Sequence, residues 1–115
     1  MIALNHTIDK TCRQFLESYF AKFPNHYLQV QADCVLKLLR ERQIPMPGKP
    51  GSWAGGIVYA LVNLGKRPCG VPGLLNKDLE KFFDASMGAI YKRTEKIRVL
   101  YFSMLTNDLL ESSGL

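Results

Sequence analysis

The chain predicts an all-α domain, on three observations. Apolar residues recur at spacings of three and four in several stretches. No stretch reads as a strand. Breaks rich in proline and glycine, at 44–52 and 66–75, divide the chain into pieces of helix length. At 115 residues this is one domain, 1–115, long enough to bury a core without staples. The expected helices lie at about 8–23, 26–43, 52–64, 77–83 and 87–102.

The first helix is expected from the stripe Ile8, Cys12, Phe15, Leu16, Tyr19 and Phe23, with Thr7 as its N-cap. Pro24 and Asn25 break it and start the second. There Leu28, Ala32, Val35, Leu36 and Leu39 form the inner face, and Gln29, Asp33, Lys37 and Arg40 point outward. The loop IPMPGKPGS follows, too short to link two independent folds. Ser52 is expected to cap the third helix, WAGGIVYALVNLG, in which only Asn63 is clearly polar. A helix apolar all round is buried all round, so this is the expected centre of the domain. Gly55 and Gly56 cost helix propensity and imply close backbone approach by a neighbour.

After the loop KRPCGVPGLL, Asn76 is the expected cap of a short fourth helix whose Leu79, Phe82 and Phe83 face inward. Asp84, Ala85 and Ser86 make a turn, and Ser86 caps the fifth helix. On it Ile90, Thr94, Ile97 and Tyr101 share one face with Leu100 on the flank, while Lys92, Glu95, Lys96 and Val99 lie opposite. The tail TNDLLESSGL is expected to add a short terminal turn and then fray. A short helix, a three-residue turn and a longer basic helix form the layout of a helix-turn-helix, whose second helix can lie in a DNA major groove.

Composition narrows the function classes. There is no uncharged apolar run of membrane-spanning length. The opening MIALNHTIDK has no basic leader and no small-residue cleavage site, so a cytoplasmic location is expected. Cys12 and Cys34 fall on apolar helix faces and are expected to be reduced core thiols, while Cys69 sits in a loop. With only His6 and His26 beside them, no metal-ligand spacing is present. GKPGSWAGG matches neither phosphate-loop nor dinucleotide patterns, and neither histidine has a nucleophile at motif spacing. Asp78, Glu80 and Asp84 read as a solvated helix surface. No enzyme, cofactor or small-molecule substrate is expected.

The net charge is +5. The excess lies in residues 37–67, where Lys37, Arg40, Arg42, Lys49, Lys66 and Arg67 face Glu41 alone. On the fifth helix Lys92, Arg93, Lys96 and Arg98 stand against Glu95. Such a distribution fits a phosphate backbone, with Lys66, Arg67 and Lys49 reaching neighbouring phosphates and Tyr91 stacking on a base or touching sugar. Nucleic acid, DNA in preference, is the expected partner. The alternative is a protein-interaction module that uses Met87, Val99, Phe102 and Leu109–Leu110 as an apolar patch.

WAGGIVYALVNL followed by LLNKDLEKFFDASMGAIYKRTEKIRVL resembles the cyclin-like repeat of transcription factor IIB proteins. It is more similar still to a small family of prokaryotic domains with a W-A-x-G-I-V-Y-A helix, a helix-turn-helix tail and no assigned activity. The resemblance covers about residues 52–102. It implies a five-helix cyclin-like bundle that binds nucleic acid or a protein partner. Three features depart from it. Transcription factor IIB has two repeats and a zinc ribbon where this chain shows one repeat and no ribbon; the fifth helix opens with Met87-Gly88-Ala89, which offers no side-chain donors to base edges; and Asp78, Glu80 and Asp84 on the fourth helix would repel phosphates that they faced.

Overall fold

The computed structural model describes the backbone at 2–63, 71 and 74–112, and side chains at 10–63, 71 and 74–101. The described residues form five helices: α1 (Ile2–Lys22), α2 (His26–Glu41), α3 (Pro50–Val62), α4 (Asn76–Phe83) and α5 (Met87–Ser112). No strand occurs among the described residues, where β pairing is limited to an isolated bridge between Val71 and Leu74.

The apolar character of α3 places it at the centre. Every residue from Gly51 to Leu61 is buried, and α3 packs against each of the other four helices. Its neighbours come unusually close. A Cβ built on Gly51 would lie 1.6 Å from the carbonyl oxygen of Phe83, at the end of α4. One on Gly56 would lie 2.7 Å from Cβ of Arg93 on α5. The absent side chains are therefore what lets α4 and α5 sit against α3. Thr94 ties the crossing further: its hydroxyl donates to Ile90 O at 2.8 Å and lies 3.3 Å from Gly56 O.

The amphipathic helices close around this axis. On α1, Cys12, Leu16, Tyr19 and Phe20 are buried, with Phe15 and Phe23 half-buried. Tyr19 stacks on Phe83 at 5.7 Å and meets Phe82 edge-on at 5.9 Å, so an aromatic cluster joins α1 to α4. On α2, Ala32, Val35, Leu36, Leu38 and Leu39 are buried. On α5, Ile90, Thr94, Ile97 and Tyr101 face inward, and Tyr101 donates its hydroxyl to Gln31 Oε1.

Several helix ends differ from expectation. Helix α1 begins at Ile2, so Thr7 lies within it rather than capping it. Helix α3 begins at Pro50 with Lys49 at the N-cap, because proline at the first position has the right φ and no N–H to satisfy. Ser52 is then inside the first turn, where its hydroxyl donates to Lys49 O at 2.6 Å. Leu75, not Asn76, precedes α4, and Asp78 Oδ2 accepts from Leu75 N at 3.0 Å. Helix α5 continues to Ser112, through most of the expected tail. Asn25 caps α2 as expected, accepting from Leu28 N at 3.1 Å. Helix α2 closes with Gln43 in the left-handed region (φ 53°), Ile44 N donating to Leu39 O and Gln43 N to Arg40 O, both at 3.0 Å.

Two interior assignments also change. Cys34 is exposed, because the buried stripe of α2 passes through 32, 35, 36 and 39 and leaves position 34 on the outer flank. Met87 is buried, folded under the start of α5.

Candidate nucleic-acid interface

The turn between α4 and α5 is held by the chain's own acidic residues. Helix α4 ends with Asp84 in the left-handed region (φ 50°), and Ala85 N donates to Glu80 O at 3.2 Å. Aspartate tolerates this backbone better than most residues. Glu80 Oε2 accepts from Met87 N at 2.7 Å, and Ser86 Oγ accepts from Ala89 N at 3.2 Å. Together the two side chains satisfy donors of the first turn of α5 that lack helical partners. The carboxylates that read as a solvated surface thus each have a local use: Asp78 caps α4, Glu80 caps α5, and Asp84 lies 3.8 Å from Lys49.

The exposed face of α5 carries Lys92, Glu95, Lys96 and Val99. Glu95 is bound by Arg98, whose Nε and Nη2 lie 3.1 and 2.5 Å from its two oxygens. The hydrogen bond from Arg98 holds the Glu95 carboxyl below the usual glutamate range, and the pairing raises the Arg98 guanidinium in turn. Lys92 and Lys96 have no ionic partner among the described residues. They lie one turn apart, about 6 Å along the axis.

The remaining residues expected at this site divide. Arg93 turns inward: its guanidinium lies over the Trp53 ring at 5.0 Å from the centroid, and its Nη2 donates to Pro47 O at 2.8 Å. It is a clamp between α5, α3 and the proline loop, and not an outward charge. Tyr91 is part-exposed; its ring meets Tyr59 edge-on at 5.4 Å and its hydroxyl accepts from Asn76 Nδ2 at 3.3 Å. Lys49 is exposed at the mouth of the turn, beside Asp84. Lys66 and Arg67 lie outside the described residues, as does Cys69.

Of the residues expected to form an apolar patch, Val99 is 59% exposed and Met87 is buried, while the side chains of Phe102, Leu109 and Leu110 lie outside those described. The sequence reading missed Tyr27 and Val30 on α2, both exposed. They follow the helical spacing of the outer flank that also carries Cys34, and that spacing was the available signal. Near the aromatic cluster, clefts of about 550 and 490 Å³ share Tyr19, Lys22 and Phe23. Among the described residues no group of three His, Cys, Asp or Glu could hold a metal ion, and no helix is long and apolar enough to cross a membrane.

No protein-family model matches the chain, and neither a curated protein nor a solved structure matches it.

Proposed function

We propose that this is a nucleic-acid-binding domain, DNA in preference, that docks on backbone phosphates through the exposed face of α5 and uses α4, the Asp84–Ser86 turn and α5 as a helix-turn-helix in a cyclin-like bundle. One observation carries the reading: Lys92 and Lys96 stand side by side on a solvent-exposed helix face whose glutamate is already neutralised by Arg98. Two ammonium groups with no ionic partner among the described residues, held one turn apart on a helix, are suited to phosphate oxygens. The similarity of 52–102 to the transcription factor IIB repeat supports the same partner class.

The contacts are of the kind that orient a duplex and do not read it. Gly88 and Ala89 offer no side-chain donor or acceptor, and Met87 is buried. Binding is therefore salt-sensitive and tolerant of sequence. The test is a salt-titrated binding assay with random duplex and single-stranded oligonucleotides, comparing the parent chain with Lys92→Glu/Lys96→Glu. The double substitution weakens binding to all sequences alike. Equal affinity for both proteins overturns the proposal.

A second reading, a protein-interaction module without nucleic-acid contact, is favoured by the exposure of Val99 on the same face. Failure of every oligonucleotide to bind at low salt would turn the balance toward it.

A further inference from the structure

Between the loop that leads into α3 and the turn that leads into α5 lies a cleft of about 290 Å³. Gly48, Lys49, Ser52, Ser86 and Arg93 line it, together with two alanines. It is cationic, since two basic side chains from separate elements line it and no carboxylate does. Glu80 is committed to Met87 N nearby and is not part of the lining.

The donors here differ in how firmly they are held. Arg93 is fixed by the Trp53 ring and by Pro47 O. Gly48 makes room for it: the residue has φ 86°, and a Cβ there would lie 2.8 Å from Arg93 Nη2. A guanidinium carries five N–H donors. The chain takes Nη2 with Pro47 O, and Nε is buried without a hydrogen-bond partner among the described residues. Ser86 Oγ accepts from Ala89 N, which leaves its own proton to donate. Lys49 is 67% exposed, and its pairing with Asp84, 82% exposed and 3.8 Å away, is of the weak, readily exchanged kind.

We propose that this cleft binds a phosphate group. A preorganised guanidinium, a mobile ammonium and a hydroxyl suit a compact, multiply charged anion with several acceptor oxygens. The cleft also adjoins the exposed lysines. Ala89 and Arg93 line it, and Lys92 and Lys96 follow each of them by three positions on α5, the spacing of helical neighbours. Assigning the phosphate to a nucleic-acid backbone rests on the function proposed above; the preference of the cleft for phosphate does not.

The experiment is an NMR titration of the full chain with inorganic phosphate, chloride being exchanged out to keep ionic strength constant. It is repeated with Lys49→Gln, a change at an exposed N-cap that makes no side-chain cap bond. The expected result is saturable shifts of the Ser86 and Ala89 amides and the Arg93 Nε–H, with affinity about tenfold lower in Lys49→Gln, as for loss of one charge-assisted hydrogen bond. Lys49→Gln also lowers the salt slope of duplex binding by about 1. Shifts that do not saturate, or are the same with chloride or in Lys49→Gln, overturn the cleft. If the cleft fails while duplex binding still depends on Lys92 and Lys96, only this inference falls. If phosphate fills the cleft and no oligonucleotide binds, the cleft stands as a site for a small phosphorylated solute and the nucleic-acid reading falls.

Discussion

Gly51→Ala is the sharpest test of how α3 and α4 meet. Its new Cβ would start 1.6 Å from a backbone carbonyl oxygen and 2.8 Å from the carbonyl carbon of Phe83. Ordinary contact needs roughly 3.5 Å, so the two helices must part by roughly 2 Å. A flexible side chain could swing aside, but this oxygen moves only with the end of α4. Parting the helices loosens Phe83, which is fully buried against Tyr19, Phe15 and Phe82. Full burial of such a side chain is worth about 1.5–3 kcal/mol, and overpacking strain adds about 1–3 kcal/mol. Alanine recovers at most about 1 kcal/mol of helix propensity. The net cost is therefore about 1.5–5 kcal/mol, a large share of the stability of a domain this size. At about 4 °C per kcal/mol the midpoint falls by roughly 6–20 °C in a thermal melt followed by circular dichroism. Gly88→Ala is the matched control. Its Cβ meets nothing nearer than Ser86 Oγ at 3.9 Å, in an exposed first turn, so the same change there raises the midpoint slightly. A Gly51→Ala midpoint equal to or above that of the parent would refute the close approach of α3 and α4.

Three further outcomes follow from particular residues. Ala60→Leu forces three extra heavy atoms into a position that is 1% exposed, so it costs about 1–3 kcal/mol or more; an unchanged melting midpoint would contradict burial of α3. The Glu95 carboxyl is depressed by Arg98, so its pairing contributes fully above the unfolded glutamate range and is lost as pH falls through the lower folded value. NMR titration should place its midpoint below that of an ordinary glutamate, and Arg98→Met should move it back up; equal midpoints would remove the pair. Maleimide added to the native protein should label exposed Cys34 rapidly and leave buried Cys12 unmodified until denaturant is added, as read by peptide mass spectrometry. Equal labelling rates would show that the inner face of α1 or the phase of α2 is wrong.

The core was legible because periodicity is a local signal that tertiary packing preserves. The unbroken apolar run of α3 and the 90–94–97–101 face of α5 required no knowledge of their neighbours. Capping was legible only in part. Ser52 and Asn76 have suitable side chains at suitable places, but Pro50 had already begun one helix and Asp78 served the other from inside its first turn. Cys34 was misplaced although the inner face of α2 was read in the right phase: its position lies about 100° from Val35, on the flank, and only its small apolar side chain suggested the core. The site was less legible than the fold, and Arg93 shows why. In sequence it is one more positive charge in a basic run. Its partners are Pro47, 46 positions earlier, and Trp53, whose ring alone on this chain is an indole. Nothing local to α5 signals either contact.

The inward turn of Arg93 changes the expected electrostatics by a measurable amount. For duplex DNA the logarithm of the binding constant falls against the logarithm of salt concentration with a slope of about −0.9 per neutralised phosphate. If Lys92, Lys96, Arg93, Arg98 and Lys49 each met a separate phosphate, the slope would be about −4.5. Arg98, however, is paired with Glu95, and Arg93 is fixed over Trp53. Lys92 and Lys96 alone correspond to about −1.8, and Lys49 at the cleft brings the value to about −2.7. A slope in that lower range, falling by about 1 in Lys49→Gln and by about 2 when both helix lysines are replaced, matches the described side chains. A slope near −4.5 would mean that Arg93 or Arg98 leaves its internal partner on binding, or that other basic residues add contacts. The variants separate these cases: Arg98→Met would lower such a slope if Arg98 had been recruited, and would leave it unchanged if the charge came from Lys37, Arg40 and Arg42 on and beyond the end of α2.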